Sequence, residues 1–154
     1  MALTNTFAVF QTVVLAAWFG AMVYSIVVVQ NFQFHVADPE NYEDVGQQMA
    51  DGSRRRIARL AVLIAISGTA AAISRANVDP GPSTEWVVLM CCKLVLFVIA
   101  VALFAYQSWW VWPQRIFALP AEMPAVRRKF FAISIGMAVA LGLILAIDVI
   151  AATA

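Results

Sequence analysis

Among the polar side chains that interrupt the apolar runs of this 154-residue chain, five have chemistry to offer. Lys93 and Asp148 carry charge, while Gln11, Ser67 and Thr69 are neutral hydrogen-bonding groups. Charge inside hydrocarbon is costly, so a Lys and an Asp there mark either a site or a structural pair. Opposite signs relieve the cost when the geometry is good. A lysine held away from water suits an anion or a carboxylate as its partner. The plainer alternative is that Asp148 snorkels to the surface and Lys93 is a satisfied structural lysine. A second set has metal chemistry. Met22, Met90, Cys91 and Cys92 are soft donors of the kind Cu(I) takes, and His35 is the single histidine. No Met-x-x-Met or Cys-x-x-Cys spacing organises them, and His35 also reads as an interfacial residue just past Phe32-Gln33-Phe34.

The elements that position these residues follow from composition. The chain is 63% hydrophobic and 12% charged, with mean hydropathy +0.84. Soluble domains run at about 45–50% apolar and about 25% charged. The excess is too large for a soluble core of this size, so the solvent is lipid. Net charge +1 gives no basic surface for nucleic acid. The two cysteines are adjacent inside an apolar run and say nothing of redox compartment.

Four runs cover about Thr6–Gln30, Ile57–Ser74, Glu85–Trp109 and Phe130–Ala151. Each reaches the length that crosses roughly 30 Å of hydrocarbon as a helix. They are continuous, not alternating, which argues against a β-barrel. The expected fold is all-α, one integral membrane four-helix bundle spanning 1–154. Pro39 suits the first turn of a short interfacial helix over 40–49. The N-terminus has no Lys or Arg, so the first run reads as a retained helix and not a cleaved signal.

Orientation follows the Lys/Arg bias. Connection 31–56 ends in Arg54-Arg55-Arg56, and connection 111–129 holds Arg115, Arg127, Arg128 and Lys129. Both are expected on the cytoplasmic side, with both termini outside, as in a bacterial inner membrane. Trp109, Trp110 and Trp112 then mark the cytoplasmic interface and Trp86 the outer one. Helical rise places Lys93 about 10–12 Å, Thr69 and Gln11 about 7 Å, and Asp148 about 5 Å below the outer ends of their helices. A bundle with polar faces inward gathers Gln11, Thr69, Lys93 and Asp148 into one outer pocket, with Lys93 and Asp148 as the ion pair. On the fourth run, Ala132-Gly136-Ala140 and Ala138-Gly142-Ala146 form two stripes of small residues that suit close helix packing.

The order of features resembles a known group. Trp18-Phe19-Gly20-Ala21-Met22-Val23-Tyr24 lies in the first run. An Arg cluster leads into Arg59-Leu60 and Ser67-Gly68-Thr69, and the third run opens Leu89-Met90-Cys91-Cys92-Lys93. This resembles the small four-helix membrane proteins of the copper resistance protein D family and the small bacterial protoporphyrinogen oxidases of the haem pathway. The resemblance implies a helical bundle, copper or haem as the cofactor, and Lys93 as the group's lysine. It departs at one position. The oxidase type carries a His two turns before the Trp, and here that position is Gln11, a very poor ligand for haem iron. A tetrapyrrole or quinone still fits between helices, whereas a lysine disfavours a bare cation.

Three functions follow as expectations. The first is binding or transport of a small ligand or metal through the outer pocket. The second is a haem- or tetrapyrrole-binding oxidoreductase. The third is a subunit or assembly factor of a larger membrane complex, or a homo-oligomer. No phosphate loop, nucleophile elbow or His-Glu-x-x-His occurs, which sets aside ATP-driven machines and hydrolases.

Overall fold

A computed structural model describes residues 2–30, 39–77, 81–119 and 121–153. Its elements are helix α1 (Ala2–Tyr24), which runs on as a π segment over Ser25–Gln30, α2 (Pro39–Ala76) and α3 (Thr84–Tyr106). A second π segment, Gln107–Val111, follows α3, then α4 (Trp112–Phe117) and α5 (Met123–Thr153). No strand occurs among the described residues. Four spans are long and apolar enough to cross a membrane: Thr6–Gln30, Arg54–Ala76, Thr84–Arg115 and Met123–Ala151. The chain is an all-α four-helix integral membrane protein. Helices satisfy every backbone group internally, which lipid demands.

Several boundaries differ from the sequence expectation. The short helix over 40–49 is the first part of α2, whose 38 residues extend about 57 Å at the usual rise. The third span does not stop at Trp109. Pro113 stands in the first turn of α4, where its missing N–H costs nothing, so the helical path continues to Phe117. The fourth helix starts at Met123, seven residues before Phe130, after a turn closed by Met123 N–H to the Leu119 carbonyl. At α3, Ser83 is extended and its hydroxyl accepts from the Trp86 N–H, which caps the helix.

The helices run antiparallel in sequence. A Cβ on Gly68 would meet Gln11, one on Gly142 would meet Phe19, and one on Gly136 would meet Leu103. α2 packs on α1, α1 on α5, and α5 on α3. The two small-residue stripes of α5 thus serve two neighbours, Gly136 toward α3 and Gly142 toward α1. The start of α1 and the end of α5 lie at one end of the bundle, here the termini end, and the arginine clusters lie at the other.

The middle of the bundle is apolar. Trp18 is fully buried and meets Phe97 and Phe104 edge-on, at 6.4 and 6.2 Å between centroids. Leu15, Ala100, Met137, Leu141 and Ile144 close around this layer. On α3 the buried positions recur as Lys93, Ala100 and Phe104, with half-buried Phe97 between them. On α5 they recur as Ser134, Met137, Leu141 and Ile144, and the half-buried Asp148 continues the row. Alternating three- and four-residue steps keep one face inward along a helix. The α5 row begins and ends on a polar residue, and the α3 row runs from Lys93 to buried Gln107 in the π segment that follows, with the apolar layer between.

Candidate functional site

At the termini end, the Lys93 ammonium forms an ion pair with Asp148 Oδ1. Their side chains are 10% and 12% exposed. Lys93 lies nine residues into α3, about 14 Å from its start. Asp148 lies three residues before the end of the fourth span at Ala151. Antiparallel packing of α3 on α5 carries these two depths to one level. Asp148 Oδ2 is buried and has no hydrogen-bond partner among the described residues. An ammonium has three donors, and Asp148 accepts one of them. The pair therefore retains both donor and acceptor capacity. A ligand carrying one acceptor and one donor, as a hydroxyl or carboxyl-bearing molecule does, matches that capacity.

The other expected pocket residues are placed differently. Gln11 is buried on the face of α1 that packs on α2, and its amide lies 2.8 Å from a Cβ built on Gly68. The glycine is what lets the amide seat there. Thr69 is exposed, and its hydroxyl donates to the Ala65 carbonyl in its own helix at 2.8 Å. That bond uses up its single donor, and the side chain does not join Lys93. Ser67 is buried but donates locally to Leu63 and Ile64 carbonyls.

The soft donors do not assemble. Cys91 and Cys92 are free thiols on the exposed face of α3, next to Lys93 in sequence but turned away from it. Met22 is buried in the core, one turn past Trp18 toward the arginine end, whereas Met90 lies one turn from Lys93 toward the termini end. About 20 Å of helical rise separates their levels. Among the described residues no three His, Cys, Asp or Glu side chains converge on a metal-sized site. His35 lies outside the described residues.

Two features were not anticipated from sequence. At the arginine end, two guanidinium groups lie over the Trp112 ring, Arg54 at 5.3 Å and Arg115 at 5.4 Å from its centroid. Arg115 also lies 6.0 Å from the Phe130 ring and is 7% exposed. Trp109 and Trp110 are about two-thirds exposed, as interfacial anchors are, whereas Trp112 is half-buried. The second feature is a buried node at the two π segments, where Gln30 and Gln107 both donate to Ser134. Glutamines at the ends of apolar runs read as boundary residues, which hid this node.

Family models, curated proteins and solved structures give no match to this chain.

Proposed function

We propose that this membrane protein binds a small ligand at the Lys93–Asp148 pair, close to the termini end of the bundle, and that this end faces out of the cytoplasm. The observation that carries the reading is a charged pair held within the span with Asp148 Oδ2 left over and Lys93 donors in reserve. Such a pair costs more to bury than two apolar residues of similar volume. Intramembrane ionisable residues are retained chiefly where a pathway or ligand uses them. The ligand class this fits is a compact polar molecule that offers an acceptor to Lys93 and a donor to Asp148. Gln11 lies buried in the same half of the bundle, packed against Gly68 where α1 meets α2. Copper or haem, which the family resemblance implies, would bring a colour or a metal that can be read directly.

The test compares wild type with Lys93→Met, which keeps length and loses the charge. Both are purified in mild detergent for absorption spectra, copper and iron analysis, and native mass spectrometry. A species retained by wild type and lost from a folded Lys93→Met supports the reading. A Soret band with iron identifies a haem, and stoichiometric copper identifies that metal. A retained species unchanged by Lys93→Met sinks the proposal.

A further inference from the structure

At the arginine end of the apolar layer, Ser134 sits at the centre of a three-helix node. Its hydroxyl accepts from Gln30 Nε2 at 3.0 Å and from Gln107 Nε2 at 3.1 Å, and it donates to the Phe130 carbonyl at 3.0 Å. A hydroxyl has one donor and two acceptor sites, so Ser134 is saturated. The three side-chain-bearing residues are 1–8% exposed. One atom is not served. Gln107 Oε1 is buried and has no hydrogen-bond partner among the described residues. Turning the Gln107 amide over does not cure this. The flipped oxygen would face Ser134, whose only proton already belongs to Phe130, and an N–H would be stranded instead. A buried carbonyl left unpaired costs about 1–3 kcal/mol, and such groups normally have a partner.

The backbone is shaped to make this node. The buried face of α1 runs through Gln11, Leu15, Trp18 and Met22. Continued at α-helical spacing it would reach Val29, seven residues past Met22. The π segment Ser25–Gln30 adds a residue and turns Gln30 inward instead, 5% exposed beside a half-buried Val29. On the third span Gln107, three residues past Phe104, already lies on the inward face, and along the π segment Gln107–Val111 both Gln107 and Ser108 are buried. Single π turns are rare and frequently mark functional sites. Here two of them meet at one serine.

We propose that the Gln30–Gln107–Ser134 node is a binding site for a neutral O–H donor that hydrogen-bonds to Gln107 Oε1. The node has only amides and a hydroxyl, so it offers no counter-charge to an ion. The nearest buried cation along the third span is Arg115, eight residues or about 12 Å of rise further on. A carbonyl acceptor repels anions. The donor is either a water molecule or the hydroxyl of an uncharged, bilayer-soluble compound. The site is separate from Lys93–Asp148, since fourteen residues divide Lys93 from Gln107 and Ser134 from Asp148, about 21 Å of rise on each helix.

The experiment is a density map of the full chain in lipid, at a resolution that shows ordered water, for wild type and Gln107→Met. A compact density within hydrogen-bond distance of Gln107 Oε1 supports the proposal and identifies water. An extended density there supports it and identifies a bilayer-soluble hydroxyl compound, which mass spectrometry of a solvent extract then names. In Gln107→Met the density should be lost while Gln30 stays bonded to Ser134. A Gln107 Oε1 met by a protein donor, or by nothing, overturns it. So does a density that persists in Gln107→Met. If that variant fails to fold, the wild-type map alone still decides.

Discussion

Lys93 and Asp148 make the sharpest test at the level of single residues, because breaking a buried pair differs from replacing it. Lys93→Met leaves a carboxylate buried without its counter-charge, and Asp148→Leu leaves an ammonium. Each single change should cost about 3–5 kcal/mol, while the double change should cost far less or nothing. The measurement is the heat resistance of folded protein in mild detergent across the four-member cycle. Additive losses would mean the pair is not coupled. Gln11 and Gly68 give a second cycle. Gly68→Ala brings a methyl to 2.8 Å from the Gln11 amide, so the amide must move. Alone it should lower stability. On a Gln11→Ala background it should be neutral or gain up to about 1 kcal/mol from helix propensity. Equal effects in both backgrounds would show that the amide yields freely.

At the level of elements, the π segments explain both what the sequence disclosed and what it hid. Sign and depth alone were enough to pair Lys93 with Asp148, because a charge in an apolar run has few partners to choose from. The spans themselves were legible from length and composition. Thr69 misled because side-chain depth was read without direction: a threonine on a helix can bond to its own preceding turn. Gln30 was invisible because the inserted π residue changes which side faces inward, and no residue pattern announces it; Gln107 keeps the regular step from Phe104 but reads as a boundary glutamine near the end of an apolar run. A π turn is an α-helix with one residue too many, so removing one residue there should restore a regular helix. Deleting Val28 should therefore leave the bundle folded and keep Gln30 on the inward face toward Ser134, since Gln30 then takes the position that regular helical spacing turns inward. Deleting Ala16, within regular α1, should turn Gln11 and the rest of the N-terminal half off the core and abolish folding. Yield of monodisperse protein separates the two. Equal collapse of both variants would argue that the π segment is not a tolerant insertion. Trp112 is a second element-level joint. It ties α2, through Arg54, to α4, through Arg115. Trp112→Leu should cost about 1–2 kcal/mol in heat resistance, as two partly buried cation–π contacts would. No loss would mean that the arginines are held by their other contacts.

For the molecule as a whole, the proposed orientation in the membrane rests on the distribution of charge. Of ten Lys and Arg residues, only Arg75 and Lys93 lie toward the termini end. The other eight lie at the arginine end, at the start of the second span (Arg54–Ala76), in α4 and in the start of α5. Short basic segments are retained on the cytoplasmic side, so the proposed orientation puts Gly81 outside and Leu119 inside. Both positions are suited to a reporter. A Cβ on Gly81 meets nothing within 4 Å, and Leu119 is 65% exposed. The native thiols must first be removed by Cys91→Ser and Cys92→Ser, since both are exposed along α3. In that background a membrane-impermeant thiol reagent applied to intact cells should label Gly81→Cys and spare Leu119→Cys, until the membrane is opened. The reverse pattern would place the Lys93–Asp148 layer next to the cytoplasm and the Gln107 node next to the exterior. It would leave the bundle unchanged but invert the side from which a ligand reaches each layer. Replacing Arg54, Arg55 and Arg56 by Ser together with Arg127 and Arg128 provides the matching control. If charge bias sets the orientation, the two labelling patterns should then become mixed.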